Sequence, residues 1–233
     1  MLTRFDLEKA LQQQADPEQQ TILQRFFKTG PGEYGEGDIF LGIKVPQLRK
    51  IAKNYQTLPL TDIQTLLFSH WHEYRFMALI LLIHRYTKSN HIDKKAIFDF
   101  YLKNTRYINN WDLVDISAPK IVGNYLLDQP REVLYQLAYS SSLWEKRIAI
   151  IATLTFIKNN EFDDTLDLAI ILLDDPHDLI QKAVGWMLRE VGKRNQSVEE
   201  AFLKQYSKKM PRTMLRYAIE KFDEELRRFY LNK

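Results

Sequence analysis

Helix breakers recur at short, fairly even intervals along this chain, and the stretches between them carry apolar residues at helical spacing. The breaks fall at Pro17, the 30–38 loop, Pro46, Pro59, Ser89-Asn90, Pro130, Asn159-Asn160, Pro176, Asn195 and Pro211. Between them, Phe76, Leu79, Ile80 and Ile83, and again Ile148, Ile151, Ala152, Thr155 and Phe156, fit the i, i+3, i+4, i+7 template of a helix face and not the alternation of a strand. Eight glycines and eight prolines in 233 residues are too few for a turn-dense all-β fold. The pattern predicts an all-α chain of stacked antiparallel helical hairpins, each segment one short helix long, rather than a four-helix bundle.

Composition removes several classes. With no cysteine there is no disulfide framework, no thiolate metal ligand and no thiol nucleophile. The opening MLTRFDLEKALQQQ has acidic and polar residues where a signal peptide needs an apolar core. The longest apolar run, Phe76 to Ile83, falls far short of the roughly 20 residues that span a bilayer. A soluble, cytoplasmic protein is expected.

The formal net charge is only +3, yet it is unevenly spread. Between Gln181 and Lys221 ten basic residues (Lys182, Arg189, Lys193, Arg194, Lys204, Lys208, Lys209, Arg212, Arg216, Lys221) face four acidic ones, so this window is +6 and the rest of the chain −3. Such a region is either a docking surface for a polyanion or a solvated helix face rich in lysine.

A weak repeat, with a period of about 32 to 40 residues, can be laid over the second half of the chain. Trp71 and Arg75, Trp111 and Asp115, Leu143 and Arg147, Asp178 and Lys182, and Arg212 and Arg216 each place a marker four residues before a charged residue. Stacked in parallel layers, the charged members would form a ladder reading Arg, Asp, Arg, Lys, Arg. A carboxylate in such a row repels phosphates unless it gains something at the bound site. Asp115 is therefore a candidate for chemistry, or else the partner of Arg147 or Arg75 in a structural salt bridge.

Trp111 and Asp115, at i and i+4, share a helix face. Pro119 lacks the N–H that would bond the Asp115 carbonyl, so the helix must kink or stop there. Trp186 follows Lys182 by four residues, with Arg189 close behind in WMLRE. Each tryptophan is either a ligand contact or ordinary packing.

Five collinear segments carry a resemblance: GPGEYGEGDIFLGIKVPQLRK at 30–50, NNWDLVDISAP at 109–119, LWEKRIAII at 143–151, IQKAVGWMLREVGK at 180–193 and PRTMLRYAIEKF at 211–222. Together they resemble bacterial DNA alkylation repair proteins of the AlkD type, in order over roughly residues 20–222. The resemblance implies one domain over 1–233, a HEAT-like or ARM-type α-solenoid curved into a concave groove that holds duplex DNA as a monomer. The implied activity is excision of cationic N3- or N7-alkylpurines in base-excision repair, without metal or other cofactor. The catalytic Asp of the W-D-x-x-D motif falls on Asp115, its opening Trp on Trp111, the Trp of GW-x-L-R-E on Trp186 and the Arg of L-W-x-x-R on Arg147. DNA contacts are expected from Lys182, Arg189, Lys193, Arg212, Arg216 and Tyr34. The Asn110-Trp111 pair departs from the tryptophan doublet that can precede the first Asp.

The chemistry suits so small a site. Ordinary glycoside cleavage uses two carboxylates because a poor leaving group must be protonated. A cationic alkylpurine leaves neutral, so one carboxylate suffices to stabilise the sugar cation and align water. Trp111 and Trp186 would present ring faces to the electron-poor sugar. Arg147 would either grip a phosphate or fix the Asp115 rotamer. No closed base pocket is legible, and the resemblance implies readout through backbone and sugar with the lesion left outside.

Other motifs point elsewhere. The Gly30–Gly37 stretch lacks the GK[ST] ending of a phosphate loop and reads as a flexible connector that reaches the DNA backbone through its N–H groups. His70, His72 and Glu73 suggest a metal, but no second cluster completes a site. Phe26 and Phe27 are either core or lesion-facing aromatics. The competing functions are a non-catalytic module that binds damaged or branched DNA, and a protein–protein scaffold.

Overall fold

A computed structural model describes residues 2–232. Among them there is no strand, only an isolated bridge between Ile39 and Trp71; everything else regular is helix. The chain divides into two compact units, Met1–Ser117 and Ala118–Lys233. The first contains α1 (Arg4–Gln12), α2 (Pro17–Phe26), α3 (Val45–Ala52), α4 (Leu60–Leu67), α5 (His72–Lys88), α6 (His91–Lys103) and α7 (Trp111–Ala118), whose last residue opens the second unit. The second contains α8 (Glu132–Ala138), α9 (Leu143–Ala152), α10 (Leu154–Lys158), α11 (Asp163–Ile171), α12 (Asp178–Arg194), α13 (Gln196–Tyr206), α14 (Arg212–Ala218) and α15 (Glu224–Leu231). The all-helical architecture expected from the periodicity is the one observed.

The breakers act as starts more than stops. Pro17 and Pro46 sit in the first turns of α2 and α3, where the missing N–H costs nothing, and Pro59 and Pro211 immediately precede α4 and α14. Side chains cap other starts: Thr3 and Asp6 form a capping box on α1, and Asp16, Asn90, Ser142, Asn195 and Asp223 cap α2, α6, α9, α13 and α15. After Ala118 the α-helical pattern gives way to a π-helical turn at Pro119–Gly123. This is the break that Pro119 demands.

Two helices are longer than the even spacing of breakers suggests. α5 and α12 have 17 residues each, and each is the hub of its unit. α5 packs against α3, α4 and α6, and α12 against α9, α10, α11, α13 and α14. At Gly185 the backbones of α12 and α14 come so close that an added Cβ would lie 2.4 Å from the Met214 carbonyl oxygen. Gly192 makes room for the side chain of Glu199 on α13.

The charged ladder read from the repeat is corrected in part. Arg75 is buried, bonded to Asp38 and to the carbonyls of Ser69 and His70, and Arg147 is buried with its Nη1 donating to the Leu179 carbonyl at 2.6 Å. Equal sequence spacing does not place these two in an exposed row. A guanidinium reaches far enough to fold back onto carbonyl oxygens exposed at nearby turns.

Candidate active site and charged surface

In the first unit the site is built on α7. Asn110, fully buried, accepts the Trp111 backbone N–H at 2.8 Å and donates its amide to Asp38 at 3.3 Å, which sets where the helix begins. One helical turn brings Trp111 and Asp115 onto the same face, both half-buried. Tyr101 lies fully buried nearby, its hydroxyl 2.9 Å from Ser117. Burial and the negative charge of Asp115 together push the Tyr101 phenol up.

Trp111 ends a stack of rings. His72 lies on Phe40 at 4.4 Å between centroids, Phe40 on Phe27 at 5.0 Å, and Phe27 on Trp111 at 5.2 Å, while Phe26 meets Trp111 edge-on at 6.0 Å. Phe27 is buried but Phe26 is 61% exposed. The indole Nε1 of Trp111 donates to the Tyr34 hydroxyl at 3.3 Å, so Tyr34 meets the site residue Trp111 directly. These rings, with Val45, Phe76 and Ile116, wall an open cavity of about 390 Å³ that also borders Asp112, Asp115 and Lys44. The cavity is open rather than a closed base pocket, and its walls come from segments up to 90 residues apart, so local sequence does not reveal it.

The Gly30–Gly37 stretch is more constrained than a free connector. Gly35 N–H bonds the Lys28 carbonyl, and the backbone N–H groups of Gly30 and Gly32 go to the side chains of Glu33 and Glu36. Its far end is fixed by Asp38, which is buried and takes bonds from Arg75 at 2.6 Å, His72 at 3.2 Å and Asn110. Burial pushes the Asp38 carboxyl up, yet the His72 bond and the Arg75 charge outweigh it and hold it below the usual range.

His72 and Glu73 are engaged by the protein itself. Glu73 accepts the backbone N–H groups of Leu41, Gly42 and Ile43 at 2.8, 2.9 and 3.1 Å. His72 lies between two carboxylates, Nδ1 toward Asp38 and Nε2 toward Asp112 at 2.8 Å. Burial alone would push the imidazole down, but the two carboxylates raise it to about 9. Among the described residues no group of three or more His, Cys, Asp or Glu side chains is arranged to hold a metal ion. Neither the role of His72 nor that of Asp38 was recognisable from spacing.

In the second unit, Trp186, Arg189 and Lys193 gather around Glu190. The Trp186 indole donates to Glu190 at 3.0 Å and Lys193 reaches the same oxygen at 2.6 Å. Arg189 pairs with Glu220 in the short turn that follows α14, Lys182 with Asp178 at 2.7 Å, and Arg212 donates to the Leu231 carbonyl at 2.6 Å. Arg194, Lys204, Lys208, Lys209 and Arg216 are exposed. The surplus of the +6 window is thus carried by a mixture of ion-paired and solvent-facing cations.

No helix among the described residues is long and apolar enough to cross a membrane. Among curated proteins no relative matches. Of the solved structures, one described as a predicted DNA alkylation repair enzyme from Enterococcus faecalis is similar in fold. Its TM-score is 0.73 at 20% identity, over 91% of this chain and 98% of that one. The model of the DNA alkylation repair enzyme family matches residues 7–222, which include every residue of the α7 site and all of the charged α12–α14 region. By that match, over nearly its whole length, the chain belongs to the DNA alkylation repair enzyme family.

Proposed function

We propose that this protein is a DNA glycosylase that hydrolyses the N-glycosidic bond of cationic N3- and N7-alkylpurines in duplex DNA, acting as a monomer and as a single functional domain. The observation that carries the reading is the shared face of α7: a half-buried carboxylate, Asp115, one turn from an indole, Trp111, beside an open aromatic-walled cavity. As the C1′–N bond stretches, positive charge moves onto the deoxyribose. A carboxylate about 4 Å away attracts it by up to about 4 kcal/mol at an effective dielectric of about 20. That is worth roughly three powers of ten in rate. Asp115 also aligns the attacking water, and Trp111 presents its ring face to the sugar cation. The same reading assigns catalytic roles to Trp186 and Arg147, as the family resemblance implies. Lys182, Arg189, Lys193, Arg212, Arg216 and Tyr34 meet the DNA backbone, so the partner is alkylated double-stranded DNA.

The test is release of free methylpurine from methylated duplex by wild type and Asp115→Asn. Release by the first, and a large loss in the second with DNA binding kept, supports the reading. Tight, salt-dependent DNA binding with no release by wild type replaces it with the binding-module reading.

A further inference from the structure

The buried charges behind α7 have no part in the reaction just described, yet they meet its helix. Arg75 and His72 of α5, Asp38 of the glycine-rich loop and Asp112 of α7 form one continuous network, with Arg75 to Asp38 at 2.6 Å, Asp38 to His72 at 3.2 Å and His72 to Asp112 at 2.8 Å. Both His72 nitrogens face carboxylate oxygens, which only the imidazolium satisfies as a double donor. Two cations and two carboxylates then cancel. His72 is also the first residue of α5, where the helix dipole disfavours a cation, so the two carboxylates must overcome that as well.

Stability is a weak reason for such an arrangement. A buried ion network is often no better than the apolar packing that could replace it. What it supplies is geometry. Asp112 stands between Trp111 and Leu113 in the first turn of α7, and its other oxygen accepts the Leu113 N–H at 2.8 Å. Fixing the Asp112 carboxylate therefore fixes the start of the eight-residue helix on which Trp111 and Asp115 are presented.

We propose that His72, held by Asp38 and Arg75, is a positioning residue that clamps Asp112 and so sets the place of the Asp115 carboxylate and the Trp111 ring. The inference rests on the glycosylase reading of Asp115. The charged groups around the imidazole are Asp38 from the loop, Asp112 from α7, Arg75 and Glu73 from α5, and, bordering the same cavity, Asp115 and Lys44. Placement errors of about 1 Å cost on the order of 100-fold in rate.

The experiment compares wild type, His72→Gln and Asp112→Asn in single-turnover release of methylpurine from pH 6 to 9.5, together with DNA affinity and the indole N–H signals of the four tryptophans. The expected result is a rate lowered about 10- to 100-fold in both variants with DNA affinity within about threefold. The wild-type rate falls as pH passes about 9, an alkaline limb absent from His72→Gln. The Trp111 indole signal moves while that of Trp186 stays. Variants that fold, keep the wild-type rate and pH profile and leave the Trp111 signal in place overturn the proposal. If wild type releases no base, the glycosylase reading fails on its own. The Trp111 signal then decides the positioning role: displaced in either variant it stands, unchanged in both it falls. Should His72→Gln fail to fold, Asp112→Asn carries the same comparison from the other side of the bond.

Discussion

His72 Nε2 lies 2.8 Å from an oxygen of Asp112, three residues before Asp115 on the same helix. The contact joins a residue at the start of α5 to the helix that carries the candidate carboxylate. It makes the first unit sensitive to pH in a definite direction.

His72 is raised from 6.5 to about 9 in the folded chain, so the stability it contributes is fully present below pH 6.5 and is lost as pH rises through 9. Chemical denaturation of wild type should weaken over that window by roughly 3 kcal/mol. His72→Gln should remove the window's contribution, and a variant with the same slope would show that the imidazole is not charged.

Glu199 gives the opposite substitution effect. It is buried on α13, and burial, reinforced by Glu200, raises it from 4.5 to about 8. Because the folded chain holds this proton and the unfolded chain releases it above pH 4.5, stability falls as pH rises from 4.5 to 8 and stays low above. Glu199→Gln should therefore melt higher than wild type at pH 8 and no higher at pH 4; thermal melts at the two values decide it.

Asp115→Asn should lower the single-turnover rate on 7-methylguanine duplex by two to three powers of ten, on the order of the electrostatic stabilisation of the sugar cation. Electrophoretic binding to the same duplex should change little. A loss below tenfold would leave the carboxylate without its assigned role.

Leaving-group charge makes a separate prediction. A cationic alkylpurine leaves as a neutral base, whereas neutral uracil leaves as an anion and needs help that a single carboxylate does not supply. Release of 7-methylguanine should exceed that of uracil from matched duplexes by a wide margin, and comparable rates would contradict the one-carboxylate mechanism.

Gly185→Ala places a methyl 2.4 Å from the Met214 carbonyl and 2.6 Å from Tyr217 Cβ, neither of which is the free end of a flexible side chain. A loss of roughly 1–3 kcal/mol is expected from the overpacking. Arg216, on α14 between those two contacts, should move with it, so weaker DNA binding at unchanged charge would accompany the lower melting temperature.

Local chemistry made much of this legible in the sequence. Pro119 announces the end of α7, the breaks read at Pro17, Pro46, Pro59, Asn90, Asn195 and Pro211 fall at helix starts, and the i, i+4 pair of Trp111 and Asp115 needs only one turn of helix to be true. What stayed hidden depends on partners far along the chain. Arg75 looked like one rung of an exposed cationic row because nothing in its neighbourhood reveals Asp38, 37 residues away. His70, His72 and Glu73 are read as no complete metal site, but their spacing does not disclose that carboxylates engage His72 and backbone N–H groups engage Glu73. The cavity beside Asp115 is likewise a product of tertiary assembly, its walls drawn from α2, α3, α5, α7 and the loop around Phe40.

The charge balance of Arg75, Asp38, His72 and Asp112 has an evolutionary corollary. Changing Arg75 or Asp38 alone leaves an odd charge buried, an outcome that costs several kcal/mol, whereas His72 can shed its proton and Asp112 borders the open cavity. Changing a cation together with its carboxylate neighbour leaves none. Drift at the fully buried pair is thereby forced into coupled steps, so that Arg75 should vary with Asp38 across any lineage in which the cluster is replaced by apolar packing.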